Sequence, residues 1–249
     1  MGIPGTANVI SFEDHPVTLT GLSITIEFEE LAEKIQMSGN NPAILKAAEA
    51  VFKKNRGIWQ PAAVYQWFAF NPGNTKGIGT ILRSGPGEAD SVDICTGHSG
   101  RFLTEASHVL TAVYTAGSKI DDAAAEASRT NDFLGAHFLD LLGLLVLEKT
   151  EARVKQLAEE KAVSAGWGVS PFLSPGSVHG WNLEEQVKLA GLLPVKNIHV
   201  DISETAVFSP FKTISCIIGI GPGYTRTEVG STCQVCSKRK DCPMHRNHS

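Results

Sequence analysis

Three of the chain's five cysteines fall in the run Cys233-x2-Cys236-x5-Cys242-Pro243. A C-x2-C turn brings two thiolates onto one metal ion, because the two residues between them close a tight loop. A third cysteine, after the short basic excursion Lys238-Arg239-Lys240, closes the ring. Such a site needs a fourth ligand. His245, three residues beyond Cys242, completes a Cys3His zinc site; alternatively Cys95, or a group from a partner, completes an iron–sulfur cluster. An odd number of cysteines also suits thiols or metal ligands in a reducing compartment better than a closed disulfide framework. Cys216 stands apart from these: period-two alternation puts it on one strand face with Ile214 and Ile218, where a thiol acts as a small apolar residue.

Other polar groupings carry weaker chemistry. The run "GIGPGY" (219–224) follows a strand pattern, but neither a helix pattern nor a Lys-Ser/Thr pair follows it, so it reads as a turn and not a phosphate cradle. Cys95 and His98 in "DICTGHSG" have the residue types of a nucleophile pair, though a loop with a lone cysteine is usually only a loop. None of the eight histidines falls in a metal-binding pair such as HExxH, and His137, within an apolar helix pattern, reads as a core histidine. The carboxylate pairs Glu29-Glu30, Asp121-Asp122, Glu159-Glu160 and Glu184-Glu185 all lie in helix patterns and read as solvated faces.

The elements that must position these residues come from a chain of 249 residues, 42% hydrophobic and 19% charged, enough to bury a substantial core. A net charge of -4 disfavours a nucleic-acid surface. The N-terminal residues lack a secretory pattern, and the longest apolar run, Phe138 to Leu147, is too short to span a bilayer and contains Asp140. The expectation is a cytoplasmic protein without nucleic-acid or membrane partners. Helix patterns run from Glu27 to about Lys54, with Pro42 in a first turn. Between Trp59 and Thr96 three strand patterns are separated by "NPGNTK" and "GPGEA". A strand from His108, a helix opened by Asp121 and Asp122, and a long helix from about Thr130 to Lys161 follow. Next come a Pro/Gly loop, a short helix with Asn182 as cap and Glu185 three residues on, and a last strand from Lys212 to Ile220. The expected organisation is an N-terminal helix and sheet portion (1–100), a core (101–225) and a cysteine-rich tail (226–249), together one compact domain plus tail.

Several motifs in order give this pattern a likeness. They are Ser174-Pro175-Gly176, a helix from Trp181 to Gln186, Ser203-Glu204, and Pro210-Phe211-Lys212-Thr213-Ile214-Ser215, preceded by "HVLTAVYTAGSKID". Over roughly Arg101 to Arg246 the chain resembles the activation domain of cobalamin-dependent methionine synthase, in its stand-alone bacterial form. Some members of that form end in a similar C-x2-C…C-P tail. The resemblance implies an α+β fold, with a twisted, largely antiparallel sheet flanked by helices. It also implies S-adenosylmethionine as ligand, bound at Ser174, Pro175 and Gly176, and a corrinoid protein or methyltransferase as partner, carrying the cobalamin. In that family an electron donor reduces cob(II) and the methyl group of S-adenosylmethionine traps it, so the protein places two reactants and needs no general acid or base. The family's ligand loop reads R-x-x-x-G-Y, whereas this chain has Phe172 at the Arg position and Ser177 at the Tyr position. A phenyl ring cannot replace a bidentate donor to a carboxylate. Two expectations follow: a reactivation partner of a corrinoid-dependent methyltransferase, or a non-catalytic iron–sulfur or zinc protein of the same fold, serving in electron transfer or assembly.

Overall fold

Runs rich in β-branched and aromatic residues pair into one antiparallel sheet of seven strands. They are β1 (Val17–Leu19), β2 (Ala62–Asn71), β3 (Ile78–Leu82), β4 (Ser91–Cys95), β5 (His108–Thr115), β6 (Gly168–Val169) and, last in the chain, β9 (Thr213–Gly221). The computed structural model describes residues 11–36, 39, 41–73, 78–82, 91–177 and 181–230. The strand order is β4-β3-β2-β5-β9-β6, with β1 also paired to β2, so strands from both sides of residue 100 share the sheet. A separate hairpin joins β7 (Asp201–Ile202) to β8 (Phe208–Ser209).

Both sheet faces are covered, which is why β5 and β9 read as nearly continuous apolar runs. On one face Leu110, Ala112, Tyr114, Cys216, Ile218 and Ile220 pack with residues of α1 (Phe28–Gln36), α2 (Pro42–Asn55) and α4 (Phe133–Ala165). On the other, Val109, Val113 and Ile217 pack with Leu173, Trp181 and α5 (Glu185–Gly191). The mixed helices and antiparallel sheet make an α+β fold of the expected kind. Cys216 is fully buried, and burial, followed by the Glu151 charge, pushes its thiol far above the usual range. It stays protonated and serves as the small apolar residue its register predicts.

The helices depart from expectation at their ends and in their partners. The helix expected to open at Asp121 begins three residues earlier, as α3 (Ser118–Arg129), which places Asp121 in its first turn. Thr130 closes α3, and the side chain of Asp132 caps α4 by accepting from the Gly135 N–H. The capping box expected at Asn182 does not form. The Glu185 carboxylate instead accepts from the Cys95 N–H at 2.9 Å and pairs with Lys188, tying α5 to β4. His137 is exposed and does not belong to the core.

Asp121 is not a solvated carboxylate either. It and Asp140 each accept from the Lys212 ammonium at 2.7 Å, and Asp121 also accepts from the Lys212 backbone N–H. This pins the start of β9 to both α3 and α4. The Lys212 stem runs so close over Gly143 that a Cβ there would collide with it. Among the described residues, no helix is long and apolar enough to cross a membrane.

Candidate functional site

The Ser174-Pro175-Gly176 loop grows directly out of the sheet. Leu173 exchanges backbone hydrogen bonds with Ile217, at 3.1 and 2.8 Å, so the chain leaving β6 still runs antiparallel to β9 when the loop begins. Ser174 and Pro175 are buried, while Gly176 is exposed with φ of +76°, a left-handed conformation that favours glycine. The Gly176 N–H donates to the Trp181 carbonyl at 2.9 Å and the Ser177 N–H to that of Ser174 at 3.2 Å. The fully buried Trp181 side chain anchors the far end. The loop is therefore held at both ends, and its three motif residues stay together.

Phe172 is a core residue. Only 2% exposed, it belongs to the helix-side cluster, with the Lys155 ammonium 5.2 Å from its ring centroid. Its N–H donates to the Gly230 carbonyl at 3.1 Å, and the Val169 N–H donates to that of Arg226 at 2.8 Å. The Val229 N–H meets the Glu159 carboxylate at 2.7 Å, so Glu159 too has a structural partner that its helix pattern concealed. Residues 226–230 thus lie along the segment that leads into the loop.

At the foot of this segment opens a cavity of about 520 Å³, lined among others by Arg101, Glu105, Val169, Pro171, Tyr224 and Arg226. Its position follows from "GIGPGY", which forms the turn that ends β9, as its sequence predicts. A Cβ on Gly221 would collide with the Glu105 carbonyl oxygen, so glycine there allows the two backbones to touch. The Tyr224 hydroxyl donates to the Phe102 carbonyl at 2.7 Å. Burial, and then the Glu105 charge, push its phenol well above the ordinary value, so it stays protonated. The Arg101 guanidinium sits over the Phe102 ring, 4.7 Å from the centroid. A second cavity of about 320 Å³, lined by Thr96 and His98, shares Arg101 and Thr104 with the first.

Sequence reasoning missed Arg101, Glu105, Tyr224 and Arg226. Only "GIGPGY" marked any of them, and it says nothing of residues more than a hundred positions away. Cys95 is exposed on β4, at the opposite edge of the sheet from β6. The expected metal ligands Cys233, Cys236, Cys242 and His245 lie outside the described residues. Among the described residues, no group of three or more His, Cys, Asp or Glu side chains is placed to hold a metal ion.

No family model matches the sequence, and no curated protein matches it. Among solved structures the chain is similar to the crystal structure of the MetH reactivation domain bound to AdoHcy. The TM-score is 0.57, with 13% sequence identity, over 86% of this chain and 81% of that one. At that identity the likeness is one of fold, and this chain shares the fold of that reactivation domain.

Proposed function

We propose that this chain is a reactivation partner of a corrinoid-dependent methyltransferase and supports reductive methylation of cob(II)alamin with S-adenosylmethionine. The observation that carries the reading is one of placement. On a fold shared with a reactivation domain that was crystallised with AdoHcy, the Ser174-Pro175-Gly176 loop rises from a sheet edge three residues after Pro171, which lines a ligand-sized groove together with Arg101, Glu105 and Arg226. S-adenosylmethionine supplies the methyl group, and the cobalt of the partner supplies the nucleophile once an electron donor has reduced it. What remains for this chain is to bind, orient and present, which calls for a fixed loop and a groove and for no acid–base pair. The donor set fits an amino-acid-bearing ligand: guanidinium groups suit its carboxylate, and a carboxylate suits its ammonium group. The chain is expected to bind S-adenosylhomocysteine saturably by calorimetry. With S-adenosylmethionine and a chemical reductant it should also convert a cob(II) corrinoid protein to the methylated form, releasing S-adenosylhomocysteine, followed by absorbance. Failure of both would sink the reading.

The tail favours a second element of this function. Gly230 is bonded to Phe172, and Cys233 is three residues further on, a covalent reach of about 10 Å. We propose that Cys233, Cys236 and Cys242 ligate a metal, with His245 completing a zinc site or another group completing an iron–sulfur cluster. Cys95, on the far sheet edge, is the less favoured fourth ligand. A cluster there would serve electron delivery, and zinc would be structural. Both suit a cytoplasmic, reducing setting, with residues 226–249 acting as a functional tail on one domain. Anaerobically purified protein is expected to carry about one zinc or one cluster per chain by metal analysis and ultraviolet–visible spectroscopy, and Cys236→Ala to lose it. A metal-free, colourless wild type would end this part of the proposal.

A further inference from the structure

We infer that Arg101 and Arg226 hold the carboxylate of the methyl donor in place of the arginine that the loop lacks at position 172, and that Glu105 receives its ammonium group. This assignment rests on the proposed S-adenosylmethionine reading and names the residues that would make it work.

The Phe172 ring is buried on the helix side of the sheet, so that position contributes packing and offers no polar contact to a ligand. A free amino-acid carboxylate taken out of water still needs a charged donor, and a planar guanidinium meets it with two parallel N–H bonds. Two arginines, Arg101 and Arg226, are among the residues that line the groove at the foot of the same segment. Arg101 lies in the short helical turn after β4 (Gly97–Phe102), and Arg226 follows the turn after β9.

Both are presented on fixed backbone. The Arg226 carbonyl accepts from the Val169 N–H at 2.8 Å, which holds its main chain at the β6 edge. The Arg101 guanidinium carbon lies 4.7 Å from the centroid of the Phe102 ring, and the Phe102 carbonyl is in turn held by the Tyr224 hydroxyl. The contact with the ring limits the rotation of the Arg101 side chain, and a carboxylate would be bound along the N–H edge of its guanidinium. Glu105 supplies the opposite charge in the same cavity, with its backbone pressed against Gly221. A groove with guanidinium groups and a carboxylate matches the zwitterionic end of S-adenosylmethionine better than it matches a phosphate, which the Glu105 charge would repel.

The test compares two ligands on the full chain by calorimetry: S-adenosylhomocysteine, and 5′-methylthioadenosine, which keeps the nucleoside and thioether but lacks the amino-acid end. The proteins are wild type, Arg101→Met, Arg226→Met, the double variant and Arg226→Lys. Both arginines are exposed, so the substitutions leave the core intact. Each methionine variant is expected to bind S-adenosylhomocysteine about tenfold or more weakly. The double variant should be weaker still, and Arg226→Lys intermediate, because lysine keeps the charge and loses the fork. Affinity for 5′-methylthioadenosine should not change. If wild type binds S-adenosylhomocysteine and the variants bind it equally well, or lose both ligands alike, the arginine assignment is wrong and the wider function stands. If wild type binds neither ligand, both fall.

Discussion

Phe172→Ala is expected to lower the free energy of unfolding by about 4 kcal/mol while leaving affinity for S-adenosylhomocysteine within about twofold of wild type. The ring is fully buried among residues of α4, β5 and β9, and removing it costs both transfer energy and the cavity left behind. The surroundings have little room to collapse, because the Phe172 backbone is bonded to Gly230 and that of Leu173 to Ile217. Denaturant titration measures the loss, and calorimetry at a temperature where the variant remains folded measures the binding. A large fall in affinity at full occupancy of the folded state would mean that position 172 still belongs to the ligand site. Unchanged affinity is what a core residue produces.

Lys212→Met is expected to cost about 3 kcal/mol and to lessen the loss of stability at alkaline pH. Methionine keeps much of the stem that packs over Gly143, so the change mainly removes the charge. Asp121, largely buried, loses its ammonium partner and keeps only the Lys212 backbone N–H. Asp140 is more than half exposed and returns to water at little cost, so most of the loss falls on Asp121. The pH dependence has a definite sign. Burial pulls the Lys212 ammonium down, but the hydrogen bonds and charges of Asp121 and Asp140 outweigh it and hold its pKa above the ordinary lysine value. A folded pKa above the unfolded one means that the stabilisation is fully present below the unfolded value near 10.4 and fades as pH rises through the folded one. Wild-type melting temperature should therefore fall above about pH 10 by more than that of the variant. Parallel pH profiles for the two proteins would count against the pairing.

Local features were legible in the residues themselves. The strands at 62–71 and 108–115, the turn at "GIGPGY" and the apolar role of Cys216 depend on alternation and turn chemistry within a few residues. The order of the motifs from Ser174 to Ser215 pointed to the fold that the structural comparison found. What failed were inferences about partners. Asp121, Glu159 and Glu185 sat in helix patterns that looked solvated, yet their partners Lys212, Val229 and Cys95 lie 91, 70 and 90 positions away. The departure at Phe172 was visible as a missing charge, but the residue's position in the core was not.

The sequence by itself determined which segments become strands and helices, where the loop turns and which thiol is apolar, because those outcomes are settled by near neighbours. Only the tertiary structure decided that Arg101 and Glu105 meet Tyr224 and Arg226 in one groove, and that Phe172 faces the helices. These depend on the antiparallel register of β5, β6 and β9, where a slip of one residue would turn every side chain to the other face.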